Sequence, residues 1–414
     1  MDQDNDIAGP ISVDEHLARI LDRIEPLPAY DQPLLDALGL PIATDVTAPI
    51  SLPVFDNSAM DGYAVVFRDV AEADERPVHL PVVGEIAAGQ ATIFAMSPGT
   101  AVRIMTGAPV PAGCDAVVPL EWTDQGVAHV RIHQAPTPGQ HIRPAGDDVT
   151  KGDLLMQAGE VIGPRHLGVL ASVGLGRVPT PPRPRVVVMS TGSELVEPGQ
   201  ELGRDSIYDS NSYLLAAAGR AAGAIVYRVK HSSDDPDAFE EALADQLVRA
   251  DAVVTSGGVS KGSHDVVKEV LSGIGTVWFG EVAMQPGKPQ GFGVVGEDAT
   301  PIFTLPGNPV SSYVSFQVFV VPALRKMMGR TPLERPLVTA MLDAPLDSVR
   351  GKRQFLRGRL ERDRGGDHVT PVGGPGSHLV GGLSQANCLI VLDEDVDGVS
   401  AGNRVPVMPL DQDF

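Results

Sequence analysis

From Arg185 to about residue 329 the chain alternates two patterns, and this alternation limits its fold more than any other feature. Continuous apolar runs (RVVVMS at 185–190, AIVYRVK at 224–230, DAVVTS at 251–256, TPIFTL at 300–305) take turns with stretches of helical period. The helical stretches are NSYLLAAAGRAAG, DPDAFEEALADQLVRA, SHDVVKEVLSG and PVSSYVSFQVFVVPALRKMM. Strands that are apolar throughout are buried on both faces, and helices between them supply the crossovers. The pattern therefore predicts a parallel, doubly wound sheet. Ligands of such sheets sit at the carboxyl ends of the strands, where the loops gather.

The flanks read differently. Residues 12–24 place Leu17, Ile20, Leu21 and Ile24 at three- and four-residue spacings, which predicts an amphipathic helix, and Ser12 with Glu15 has the form of a capping box. From 49 to 144 short apolar runs (AVVF, HLPVVGEI, AVRIM, AVVPLEW) are broken by Gly, Pro and Asp, which predicts a β-rich unit. Residues 145–178 regain a helix-like HLGVLASVGL and are expected to pack with the N-terminal helix, making 49–144 an insertion. VPTPPRPR at 178–185 is a stiff linker. Beyond 330, short runs (LVTAML, QFLRGRL, CLIVL, RVPVMPL) predict a small β-barrel or sandwich. The expected domains are 1–48 with 145–180, then 49–144, 181–329 and 330–414.

The chemistry is expected where three strands end in polar or glycine-rich loops: STGSEL (190–195), SGGVSKGSHD (256–265) and LPGNPVS (305–311). Glycines let backbone N–H groups approach a ligand, and a following helix N-terminus adds partial positive charge. In PGNPVS, Asn308 suits the N-cap, Pro309 the first helical position and Ser311 the first turn, an arrangement that holds an oxyanion. Ser263 and Asp265 begin a second helix in the same way. Gly-rich turns after strands are common, so the convergence of three carries the weight rather than any one. QPGKPQGFG pins Lys288 in a loop just before a strand, either as an anion ligand or as a solvated turn residue. In FDNSAMDGYAV, Asp56 and Asp61 can coordinate a metal, orient a substrate amine or cap turns, and capping is the commoner use. RIMTGAPVP ends a strand at Thr106, and HIRPAGDDV offers Arg143, Asp147 and Asp148.

Several classes are disfavoured. A formal net charge of −21 repels nucleic acid and anionic lipid, so an anionic ligand must be gathered locally. No run reaches the ~18 apolar residues of a membrane span. The acidic start MDQDNDIAGP lacks the basic stretch of a signal peptide, and a cytoplasmic protein is expected. Two cysteines, Cys114 and Cys388, give neither a disulfide framework nor a Cys-based zinc site. Walker A and HExxH spacings are missing, which disfavours P-loop nucleotide cradles and zinc proteases of that type.

FDNSAMDGYAV, RIMTGAPVP, STGSEL, SGGVSKGSHD, PGKP and LPGNPVS, in that order, resemble the molybdopterin molybdenumtransferase family, which includes the E domains of the plant cofactor-assembly protein and of gephyrin. The likeness runs from about residue 12 to the C-terminus. It implies a multidomain α/β and β protein with a central doubly wound molybdopterin-binding domain, a β-rich inserted domain reaching across a homodimer, and a small C-terminal β-barrel or sandwich. The implied reaction takes adenylated molybdopterin and molybdate and, with Mg²⁺, releases AMP and yields molybdenum cofactor. Other enzymes of that biosynthesis are conceivable partners; nucleic acid and membrane are not.

By motif match, Asp61 and Thr106 face the active site from the insertion, with Asp148 nearby. Glu194, Asp234 and Asp265 line the cleft of the third domain, and Asp265 with Glu194 are the candidate Mg²⁺ ligands. Lys288 and Ser311 hold anions. Ser190, Thr191, Gly192, Ser256, Gly257, Gly258, Ser260, Gln285, Pro306, Gly307 and Asn308 form the substrate loops. From KRQFLRG and SQANC, Arg353, Arg357 and Ser384 fall where the family has an arginine pair and a serine beside molybdate. The chain departs from the family at Gln285 and Glu281, where many members carry lysine. Two rival readings remain: a molybdopterin adenylyltransferase, which needs neither the 49–144 insertion nor the C-terminal unit, and a non-catalytic gephyrin-like scaffold.

Overall fold

Along the strand Arg185–Thr191, alternate residues enter two different cores, as the period-two geometry of a strand requires. Val186 and Val188 pack with Leu215, Val254, Phe303, Val314 and Phe319, while Val187 and Met189 pack with Phe239, Leu243, Val253, Val267 and Ile302. The helices Asn211–Ala221 and Pro309–Ser315 therefore cover one face, and Pro236–Leu247 and Val266–Ile274 the other. This computed structural model describes residues 9–87, 89, 95–231, 235–257, 259, 266–412 and 414.

The sheet has six strands in the order Ile225–His231, Arg185–Thr191, Ala252–Ser256, Thr300–Leu305, Pro289–Val295, Gly275–Glu281. The first four are parallel, and the last two run antiparallel to their neighbours as an edge hairpin. The four strands read from the sequence are parallel as expected, and the hairpin adds two antiparallel strands at one edge. The hairpin connects through MQPGKP without a crossover helix, and only a crossover would force parallel pairing. The last helical stretch continues from Pro309–Ser315 through a π turn, Phe316–Val320, into Val321–Met327.

The chain divides into two compact units, one of the residues up to Asp31 with Gly39–Pro41 and Pro179–Phe414, the other of Gln32–Leu38 with Ile42–Val178. The larger unit contains the α/β layer and a C-terminal barrel. In the barrel, Arg353–Asp363, Gly366–Pro371, Val338–Leu342, Arg404–Pro409 and Cys388–Leu392 pair in sequence, and the last closes on the first. Closure removes the exposed edges that a small sheet otherwise presents. The short strand Met284–Gln285 pairs with Arg353–Gln354 and so fastens the edge hairpin to the barrel. The N-terminal helix is Val13–Leu21, and its Val13, Leu17 and Ile20 lie in the core of the α/β layer. Ser12 Oγ accepts from Glu15 N at 3.0 Å, but the Glu15 carboxylate turns to Arg19 at 2.7 Å, so half of the capping box forms.

The smaller unit carries a five-stranded sheet ordered Ala116–Pro119, Gly62–Val65, Ala101–Ile104, Val78–Ile86, His129–Ile132. Tyr63 and Val65 enter one core and Ala64 the other, so both faces are covered. A further core gathers Ala37, Ile42, Val46, Met156, Ile162, Leu170 and Val178 around the helix Pro164–Ser172.

Candidate functional site

Three of the parallel strands end together. Asn211 begins the helix beside them, and its amide donates to Ser256 Oγ at 2.7 Å and to the Gly307 carbonyl at 2.6 Å. The loops then approach at van der Waals distance. A Cβ placed on Gly307 would lie 3.8 Å from Gly257 Cα, and one on Gly257 3.5 Å from Thr191 Oγ1. These are ordinary contact distances, so the edge from Thr191 through Gly257 to Gly307 is continuous, and the φ of +93° at Gly257 is what favours glycine there. Ser190 is buried and donates to Asp209 at 2.6 Å, so it braces the loop. Glu194 is exposed, and its carboxylate folds back over Gly192, where a Cβ would collide with it.

At the far end of this edge lies a cleft of about 420 Å³. It gathers Gln285, Lys288, Pro306, Asn308 and Ser311 from the α/β layer, and Lys352, Ser377 and His378 from the barrel. Each wall has a local cause. Gly287 has φ +101° and packs so tightly that a Cβ would lie 2.8 Å from Ser315 Oγ. Gln290 locks the turn by donating to the Gly287 carbonyl at 2.5 Å and to Ser315 Oγ at 2.6 Å. Lys288 is thereby held at the rim, where its ammonium meets the Glu281 carboxylate at 2.8 Å. Asn308 takes the N-cap position of Pro309–Ser315 with an extended backbone, although its side chain forms no cap bond there. Val310 N donates to the Ser377 carbonyl at 3.4 Å and so ties the helix start to the barrel loop.

Neither arginine assigned from the sequence lines this cleft. Arg353 forms a two-pronged pair with Asp14 at 2.6 and 3.0 Å and lies 3.4 Å from Glu394. This arrangement holds the Asp14 carboxyl below its usual range. Arg357 is buried and donates to the carbonyls of Leu379 and Gly374, and to Gly376 at 3.5 Å. Burial lowers its guanidinium pKa, and it braces the loop that presents Ser377 and His378. The cation that this segment brings to the cleft is Lys352, which has no ion-pair partner among the described residues. Lys352, Ser377 and His378 were missed in the sequence. KRQ offered three polar candidates, and the charge alone did not say which faces inward. Ser384 is exposed and donates to the Gly381 carbonyl at 3.0 Å, away from the cleft lining.

In the smaller unit the three polar motifs are brought together. Thr106 donates to Asp61 Oδ1 twice, from N at 2.6 Å and from Oγ1 at 2.8 Å. Those bonds, the backbone one first, hold the Asp61 carboxyl below its usual range. Asp56 accepts from Ala145 N at 2.7 Å, which ties the FDNSAMDGYAV segment to the HIRPAGDDV loop. Asp148 is exposed, and its backbone N–H donates to Leu52 O at 3.0 Å. Gly258, Ser260, Asp234, Ser263 and Asp265 lie outside the described residues.

The family profile described as the MoeA N-terminal region, domains I and II, matches residues 11–174. A probable molybdopterin binding domain matches 187–326, and the MoeA C-terminal region, domain IV, matches 339–410. Molybdopterin molybdenumtransferase 2 of Mycobacterium tuberculosis is 48% identical over 406 residues, covering 96% of this chain and 99% of its own. The molybdopterin molybdenumtransferase of Haemophilus influenzae is 36% identical over 404 residues, covering 96% and 98%. The crystal structure of a molybdopterin biosynthesis MoeA protein from Pyrococcus horikoshii superposes with a TM-score of 0.80 at 31% identity, over 98% of this chain and 100% of that one. The chain belongs to the molybdopterin molybdenumtransferase family, transferases of molybdenum cofactor biosynthesis.

Proposed function

We propose that this protein transfers molybdenum from molybdate to adenylated molybdopterin, with Mg²⁺ and release of AMP, to yield molybdenum cofactor. The observation that carries the reading is the cleft itself. Five residues assigned from the sequence, Gln285, Lys288, Pro306, Asn308 and Ser311, line one volume of about 420 Å³, with Lys352, Ser377 and His378 opposite. Its polar side chains are hydrogen-bond donors or can act as such, and two of them are lysines. An oxyanion is the ligand that such a donor set suits, and with a net charge of −21 over the whole chain an anion has to be gathered by a local site.

The roles divide along the sheet edge. Lys288, Lys352, Ser311 and Asn308 hold the molybdate, while the glycine loops at Thr191–Gly192, Ser256–Gly257 and Pro306–Gly307 hold the pterin nucleotide through backbone N–H groups. Mg²⁺ is commonly held by one or two carboxylates together with substrate phosphates, so the exposed Glu194 with Asp265 suits it. When bound, the ion offsets the phosphate charge that departs with AMP. Asp61 and Thr106, already bonded to each other, and Asp148 are assigned to the site by the family resemblance. The same resemblance supports a homodimer and a cytoplasmic setting, and no described helix is long and apolar enough to cross a membrane.

The test is AMP release from adenylated molybdopterin by purified protein with Mg²⁺, with and without molybdate. Molybdate-dependent release is expected. Release of pyrophosphate from ATP in its place would turn the assignment to the adenylyltransferase, and pterin-nucleotide binding with no AMP under any condition would leave a scaffold.

A further inference from the structure

The two lysines of the cleft are electrostatically unequal. Lys352, partly buried at the start of the barrel strand, has no ion-pair partner among the described residues. Lys288 is paired at 2.8 Å with Glu281, and the side chains of this pair are 42% and 30% exposed. The fold makes the pairing hard to avoid. Glu281 is the last residue of Gly275–Glu281 and stands opposite Pro289 in the antiparallel register, so it is a cross-strand neighbour of the PGKP turn. Val282 N donates to the Lys288 carbonyl at 2.7 Å, and Ile11 N to the Glu281 carbonyl at 3.0 Å, so both backbones are fixed. Glu281 itself does not line the cleft, whereas Lys288 does.

We infer that Glu281 is a positioning residue that acts through Lys288, drawing the ammonium towards itself and lowering the affinity of the cleft for a small dianion. This rests on the transferase reading of the same cleft. An incoming oxyanion must compete with a carboxylate already in contact with the ammonium. A free inorganic anion therefore binds weakly, while one held also by Lys352 and by the bound pterin nucleotide competes better. The contest takes place at half-exposed groups, so it depends on ionic strength. Glu281 touches no substrate in this account; it positions Lys288 and sets its charge balance.

The experiment is calorimetric titration of the full-length protein with molybdate alone, and the molybdate KM for AMP release, for wild type, Glu281→Gln, Lys288→Ala and the double variant. Glu281→Gln keeps the size and polarity of the side chain and removes its charge. It is expected to tighten molybdate binding and lower KM roughly fivefold at low salt, with kcat within twofold, and the gain should shrink as salt is raised. In the Lys288→Ala background the same substitution is expected to change neither, because coupled residues are not additive. Equal affinity in wild type and Glu281→Gln, with molybdate-dependent AMP release intact, would overturn the inference and leave the functional reading standing. A fivefold gain that persists without Lys288 would overturn the action through Lys288. Molybdate bound by no variant and no AMP released would sink both.

Discussion

Two polar assemblies in this molecule are built on opposite principles. In the smaller unit the motif residues bond to one another: Thr106 donates twice to Asp61, and Asp56 accepts from Ala145. In the larger unit, the cleft between the α/β layer and the barrel brings together donors from separate segments, and Lys352 has no ion pair among the described residues. The first assembly is satisfied as it stands. The second carries an excess of donors, which is the state expected of a surface shaped for an anion. Motif density alone does not separate them, since FDNSAMDGYAV is as polar as LPGNPVS. Hydrogen-bond bookkeeping does.

The largest expected effect comes from the bracing of the cleft. Arg357→Met keeps the bulk but leaves the carbonyls of Leu379 and Gly374 without their donor, so about 3 kcal/mol of stability should be lost in chemical denaturation. The molybdate KM should rise as well, because the loop carrying Ser377 and His378 loosens. Lys352→Ala should leave stability nearly unchanged but lower kcat/KM for molybdate about 30-fold, roughly 2 kcal/mol, the value of a charge-assisted hydrogen bond. A stability loss with unchanged kinetics for Lys352→Ala would break the comparison.

Acid should separate the two units next. His16 is buried against Trp278 and Phe319 in the larger unit, and desolvation lowers its pKa from 6.5 to about 3. The unfolded chain therefore binds the proton that the folded chain refuses, so stability falls as pH drops below about 6.5. By pH 5 the loss is about 2 kcal/mol, and His16→Phe should remove that slope in urea titrations across pH 7 to 5. Asp61, in the smaller unit, behaves differently. Its pKa is depressed by the Thr106 bonds, so its contribution is present above about 3.8 and fades only as pH falls below that value. The smallest effect belongs to Asp61→Ala at neutral pH, where about 1 kcal/mol should be lost as the Thr106 N–H loses its acceptor. Hydrogen exchange at Thr106 would report it.

What could be read from the sequence was what the chain writes locally. Strands ending at Thr191, Ser256 and Leu305 were visible because apolar runs stop at glycine and polar residues, and the convergence followed from parallel topology. The edge hairpin was not visible as antiparallel. GTVWFGE was not read as a strand at all, and its direction is set by the short MQPGKP connection rather than by the run itself. Lys352 was missed for a similar reason: in KRQFLR three cations lie within six residues, and which one faces the cleft depends on where the strand begins. Arg353 meets Asp14, a residue 339 positions away in the chain, which no local pattern foretells. The family resemblance supplied Gln285 and Glu281 as departures, but only the coordinates show that Glu281 lies in contact with Lys288.

The most direct test of the central claim is the position of a bound oxyanion. Crystals soaked in tungstate, whose anomalous signal locates the metal, should show it within hydrogen-bonding reach of Lys352, Ser311 and Asn308. A tungstate site at Arg353, at Ser384 or at the Asp61–Thr106 pair, with none in the cleft, would contradict the account.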